Sequence, residues 1–147
     1  MNEELVHALK VVLADHYSVY FKAQGFHWNV ESDDFPQYHD FYAMIYGDAI
    51  GAVDMIAENI RKLGSYAPFK MGRLIELSTV VDGEVGPDPD MMNADLLNAI
   101  NAAIMSNMNA FTIANGAANE PGIANDLAGR DGQLKKMAWQ LRSTLKD

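Results

Sequence analysis

The chain predicts an all-α fold, a bundle of four long helices with a long crossover between the second and the third. Three observations carry this expectation. Four segments of the 147-residue chain space their apolar residues at helical intervals, and no segment reads persuasively as a strand. About 26 residues separate the second helix from the third, while short turns join the first to the second and the third to the fourth. The length fits one domain over residues 1–147 and is enough to bury most of the apolar surface of a single core.

The first helix runs from about Glu3 to Val30, with Leu5, Leu9 and Val12 at helical spacing and Asn29 placed to cap its end. The second runs from about Pro36 to Leu63. Asp33 and Asp34 can cap it, Pro36 fits its first turn, and Arg61, Lys62 and then Gly64 mark its end. The crossover is too long for a bare loop, and "GRLIELSTVV" within it can make one or two turns of a short extra helix. The third helix covers about Asp90 to Asn115, with Leu97, Ile100, Ile104, Met108 and Phe111 on one side. The fourth covers about Pro121 to Leu145, with Ile123, Leu127, Leu134, Ala138, Leu141 and Leu145 as its stripe and Gly129 and Gly132 weakening its middle. Two helices, a long crossover and two more helices suit a ferritin-like four-helix bundle.

Composition narrows the function. The chain has no cysteine, which excludes disulfides, thiolate metal sites and thiol nucleophiles. No apolar run approaches the length of a membrane span, and "MNEELVHALK" has no charged-then-apolar leader, so a cytoplasmic location is expected. The net charge of −9 repels phosphate backbones and attracts cations.

The second helix carries two stripes. Phe41, Ile45, Ala49, Ala52, Ile56, Ile60 and Leu63 recur at three- and four-residue steps and can face the bundle core. His39, Ala43, Gly47, Ile50, Asp54 and Glu58 form a second series, small and apolar in the middle with metal-ligand types at its ends. His39 and Asp54 lie 15 residues apart, roughly 22 Å along a helix, too far to share an ion within one chain. An antiparallel copy of the same helix, crossing near Gly47 and Asp48, brings His39 of one chain level with Asp54 to Glu58 of the other. Gly47 and Gly51 would let the backbones approach. His27 and His39 are each six residues from the turn at Asp33, so they come level when the hairpin closes. Each shared site then holds His27 and His39 from one chain and Asp54 and Glu58 from its mate, with Trp28 alongside. Two imidazoles and two carboxylates suit iron, manganese or zinc. Read singly, Asp54 and Glu58 also fit a solvated face, with Glu58 pairing Lys62. His7 and His16 read as surface or satisfied core histidines, and the nine methionines as core filler.

"GFHWNV", a histidine twelve residues after His27, and then "DMIAENIRKLG" resemble the Dps family, the DNA-binding proteins from starved cells or mini-ferritins. "RLIELSTV" resembles that family's crossover helix, and "IANDLAGRDGQLKKMAWQLRSTL" its last helix. The resemblance implies a dodecameric homo-oligomer built on twofold dimers. It implies ferrous iron oxidised at the twofold interfaces by hydrogen peroxide or oxygen, with ferric iron stored inside, protecting DNA from oxidative damage. By the same resemblance His27, His39, Asp54 and Glu58 are the ferroxidase ligands and Trp28 their neighbour. Asp126 matches a carboxylate of the threefold iron-entry pore, with Glu120 a second pore candidate. Two features depart from the family. Ala43 stands where a further carboxylate is usual, one turn after the second histidine, and "MNEEL" replaces the lysine-rich tail with which many members hold DNA. DNA binding is therefore not expected at neutral pH. The alternative function is a DNA-binding, nucleoid-compacting protein with weak or no ferroxidase activity.

Overall fold

A computed structural model describes residues 2–146. The helices are α1 (Glu3–Asn29), α2 (Phe35–Lys62), α3 (Met71–Leu77), α4 (Pro89–Asn115) and α5 (Pro121–Thr144). Two hairpins, α1–α2 and α4–α5, form the bundle, with α1 packed against both α2 and α4. The crossover carries α3, whose Leu74 and Leu77 pack on Ala14 of α1. No helix among the described residues is long and apolar enough to cross a membrane.

The helix ends follow from their local chemistry. At the end of α1 the Asn29 side chain donates to the Gly25 carbonyl at 2.8 Å, satisfying one of the free carbonyls there. At the start of α2, Asp34 stands at the N-cap position but makes no side-chain cap bond. Neither expected aspartate caps the helix by its side chain; the Asp34 amide instead donates to Ser32 Oγ. Gly64 closes α2 with φ +90, a conformation that favours glycine, while Ser65 N reaches back to the Ile60 carbonyl. Asp88 caps α4 by accepting from Met91 N at 3.1 Å, and Pro89 occupies its first turn.

The core has two apolar clusters separated along the bundle. One gathers Val19, Tyr42, Ile45, Leu96, Ile100, Leu134 and Leu141; the other gathers Leu5, Leu9, Val12, Ile56, Ile60, Ala110 and Leu127. Polar residues gather where the two clusters meet: His16 of α1, Asn107 of α4 and Arg130 of α5 fall between them, and Asp48 of α2 sits at the edge of the first, between Ile45 and Ala49. Arg130 donates to both carboxylate oxygens of Asp48, at 2.8 and 3.2 Å, and through Nε to His16 Nε2 at 3.3 Å. The opposite His16 nitrogen, Nδ1, donates to the Val12 carbonyl at 2.8 Å. Buried charges need this degree of pairing, since each leaves water at high cost.

Further buried polar contacts tie the outer pieces down. Asp15, fully buried, accepts from Ser78 Oγ, Thr79 N and Thr79 Oγ1, which pins the crossover to α1. Lys22 bonds Asp95 at 2.6 Å, joining α1 to α4. Tyr42 donates to Asn93, which donates in turn to Thr144; burial holds the Tyr42 phenol above its ordinary pKa.

Two expectations are corrected. Among the described methionines only Met92 and Met137 belong to the core, whereas Met44, Met71, Met91, Met105 and Met108 are exposed. The core face of α4 also lies to one side of the expected stripe. It is formed by Met92, Leu96, Ala99, Ile100, Ala103, Ile104, Asn107 and Ala110, leaving Met108 in solvent. Alanines carry this packing, so the helices can approach closely and the longer thioethers turn outward.

Candidate metal centre

The α1–α2 hairpin brings His27 and His39 into direct contact. Five residues separate the two helices, and the histidines lie one on each side of that turn. Their bonds are reciprocal: His27 Nδ1 donates to the His39 carbonyl at 2.6 Å, and His39 Nδ1 donates to the His27 carbonyl at 2.7 Å. A carbonyl can only accept, so the proton of each neutral ring sits on Nδ1. Each Nε2 then carries the free lone pair, the form in which imidazole binds a metal. The rings stack with centroids 3.6 Å apart and planes 14° from parallel. Tyr46 meets His27 edge-on at 5.3 Å, and Phe35 packs beside His39 at 4.9 Å. The aromatic flanks and carbonyl bonds hold the rings before any ion arrives.

Asp54 and Glu58 lie elsewhere on α2. Both are exposed, and neither has a salt bridge or side-chain hydrogen bond among the described residues. The Glu58–Lys62 pair that a solvated face would offer is not formed. No group of three or more His, Asp or Glu side chains among the described residues can hold a metal within the single chain. The second α2 stripe is open along its length, with Gly47, Ile50, Asp54 and Glu58 exposed and Ala43 half-buried. The first stripe is turned inward: Ile45, Ala49, Ala52, Ile56 and Ile60 are buried. Asp48 points into the bundle toward Arg130, and Asp40 is exposed. Trp28, beside His27 in sequence, is 65% exposed.

The pore candidates share the first part of α5. Glu120 is half-buried at the N-cap position, where its carbonyl accepts from Ala124 N. Asp126, also half-buried, accepts from Asn59 Nδ2 at 3.1 Å, and Asn59 is itself buried on α2. One Asp126 oxygen is thus tied to the bundle. His7 is exposed, and His16 is a satisfied core histidine. Sequence reasoning missed Tyr46, which flanks His27, and the Asp48–Arg130 pair that fastens α2 to α5 between its two ligand sets. Arg130 had a signal: it falls on the fourth helix's apolar stripe between Leu127 and Leu134, where a charge requires a buried partner.

Comparison with known proteins gives a consistent family. The ferritin-like domain family matches residues 6–147. DNA protection during starvation protein 2 of Bacillus anthracis is 25% identical over 146 residues, covering 99% of each chain. The crystal structure of Dps from Staphylococcus aureus superposes with a TM-score of 0.92 at 25% identity, covering 99% of this chain and 97% of that one. A Dps protein of Vibrio cholerae O1, described as a member of a broad superfamily of ferritin-like diiron-carboxylate proteins, superposes with a TM-score of 0.92 at 21% identity. That match covers 99% of this chain and 91% of its own. The bundle, the crossover helix and these matches agree: the chain belongs to the ferritin-like family and, within it, to the Dps group.

Proposed function

We propose that this chain is the subunit of an iron-storage shell that oxidises ferrous ions at sites shared between two subunits, keeps ferric iron inside, and thereby protects DNA. The observation that carries the reading is the His27–His39 pair, whose Nε2 atoms are freed by the reciprocal carbonyl bonds. The exposed, unpaired Asp54 and Glu58 supply what the pair lacks, provided they come from a second chain. Two imidazoles alone leave the charge of a ferric product uncompensated; two carboxylates stabilise it. Each ferrous ion gives up one electron, and hydrogen peroxide takes two, with two protons, to leave two waters. Consuming ferrous iron and peroxide together removes both reactants of hydroxyl-radical formation. Trp28, exposed in the single chain, would be covered by the mate and wall the site. Asp126 and Glu120 would contribute an acidic approach for incoming ferrous ions around a threefold axis.

The test is anaerobic addition of ferrous iron followed by peroxide, with ferric absorbance recorded for the parent and for His27→Ala. Rapid oxidation that is lost in His27→Ala supports the reading. Equal rates in both proteins would remove the histidine pair from the chemistry. A gel shift of plasmid DNA at neutral pH and physiological salt, without added divalent metal, would favour the nucleoid-compacting alternative, against the −9 charge of each chain.

A further inference from the structure

Three of the chain's eleven glycines follow an aspartate or an asparagine: Asp82–Gly83, Asn115–Gly116 and Asp131–Gly132. In such a pair the covalent chain itself holds the glycine nitrogen within reach of the preceding side-chain carbonyl carbon. Glycine has no side chain to hinder the approach. Closure of a five-membered imide then needs only a free N–H and a backbone able to turn. The fold treats the three pairs differently. Gly132 lies inside α5, where its N–H belongs to the helical ladder, and the Asp131 carboxylate is tied to Lys135 at 3.0 Å. Gly116 N donates to the Ile113 carbonyl at 3.2 Å, in a turn so close that a Cβ there would meet the Thr112 carbonyl oxygen at 3.0 Å. Asp82 and Gly83 lie in the crossover, within residues 81–86, which form neither helix nor strand. Among the described residues no N–H or C=O group of this stretch makes a hydrogen bond. The anchors stand on either side: Val80 N donates to Ser78 Oγ at 3.2 Å, and the Pro87 carbonyl accepts from Glu31 N at 3.0 Å. The Asp82 side chain is 95% exposed. It meets Lys22 only at 3.7 Å, while Lys22 holds Asp95 at 2.6 Å.

We propose that Asp82 is a site of spontaneous covalent rearrangement, converting to isoaspartate through a cyclic imide with Gly83. Gly83 N gives up its proton and bonds Asp82 Cγ, and the carboxyl oxygen it displaces leaves as water. Water then adds back. At Cγ it restores aspartate. At the backbone carbonyl it leaves Gly83 joined through Cγ, so the main chain runs through Asp82 Cβ and the free carboxylate sits on Cα. Water leaves and water returns, so composition is unchanged while the main chain gains one carbon. The bundle can absorb this. Both anchors lie outside residues 81–86, and Lys22 keeps its closer partner, Asp95. Exposed loops of this kind are where covalent change is best tolerated.

The experiment ages the full chain, in the assembly it forms, at neutral pH in water enriched in heavy oxygen. Digestion in ordinary water and mass spectrometry follow. A heavy oxygen in the peptide that holds Asp82 marks passage through the imide, and electron-transfer fragmentation distinguishes isoaspartate from aspartate. Isoaspartate should accumulate at Asp82, while Asp131 stays aspartate and Asn115 keeps its amide. Unfolding in urea should make the other two pairs react as well. Gly83→Ala meets no neighbour within 4 Å and should lose most of the signal. Asp82→Glu, one methylene longer, should lose all of it. Far-ultraviolet circular dichroism and light scattering establish that both variants fold and assemble as the parent does. An Asp82 that stays unlabelled in the folded protein would overturn the proposal, because the crossover would then hold Gly83 N out of reach. Equal rates at the three pairs in the folded protein would overturn it by showing that the fold does not select among them.

Discussion

Acid should unfold this protein through His16. The ring lies fully buried between the two apolar clusters, donating from Nδ1 to Val12 and accepting at Nε2 from Arg130 Nε. A second proton has to enter at Nε2. It would turn the acceptor into a donor aimed at a guanidinium and place a charge in the core. Burial first, and the Arg130 charge second, lower the pKa from its ordinary 6.5 to about 4. The unfolded chain therefore binds a proton between pH 6.5 and about 4 that the folded chain refuses. Folding stability falls as pH drops through that window and is undiminished above it. At about 1.4 kcal/mol for each pH unit, the loss across the window is about 3 kcal/mol. The assay is urea unfolding by circular dichroism at fixed protein concentration, from pH 7 down to pH 4, for the parent and His16→Gln. Glutamine retains an acceptor and does not titrate. The parent should lose about 3 kcal/mol more than the variant over this range. Parallel curves for the two proteins would refute the argument and show that other groups carry the acid sensitivity.

Three further outcomes follow from the geometry. Gly47→Leu adds a side chain where a Cβ meets nothing within 4 Å, so the helix itself should gain up to about 1 kcal/mol; the chain should stay helical yet lose its assembly in light scattering, where the twelve-chain shell that the family resemblance implies, at 16.2 kDa per chain, would scatter as about 194 kDa. An intact assembly would separate Gly47 from any subunit contact. Asp126→Asn lets the replacement amide still accept from Asn59, so assembly should persist while iron uptake slows; unchanged uptake kinetics would take Asp126 off the entry path. The third outcome concerns Ala43, one turn from His39 and without a ligand atom. The shared site should hold one tight ion on His39, Glu58 and Asp54 and a weaker one toward His27, and Ala43→Asp should raise occupancy and oxidation rate together. Anomalous scattering from metal-soaked crystals reads the occupancies, and two full ions in the parent would contradict the expectation.

The helices were legible because their ends are written in short-range chemistry. Pro36 and Gly64 bracket α2 to within two residues, and Asn29, Pro121 and the crossover motif "RLIEL" serve the other elements similarly. The meeting of His27 and His39 was legible too, since equal distances from a tight turn decide it. What could not be read was lateral register. Arg130 announced a partner, but choosing Asp48 from the other acids needs the relative rotation of α2 and α5, which side-chain packing alone determines. The face of α4 failed for a related reason. From Leu96 to Asn119 that segment has no charged residue and mixes alanine, asparagine and methionine on every side. With so little contrast between faces, periodicity gives no firm direction, and alanine packing displaced Met108 outward. The side of the imidazole that holds the proton follows only from the carbonyls it meets.

The fifteen-position separation of His39 and Asp54 along α2 makes each chain the bearer of two unlike half-sites. On the proposed shared site, a chain without its two imidazoles and a chain without its two carboxylates are each inert alone. Paired about a twofold axis they fail in complementary ways: one of the two sites in the interface inherits all four ligands and the other none. If the two variants are unfolded, mixed in equal amounts and reassembled, random pairing restores about a quarter of the sites. Oxidation should return to about that fraction of the parent rate, whereas a site contained in one chain would return nothing. Activity absent from both parents and present in their mixture would then belong to the pairing of chains, as in complementation between two defective alleles.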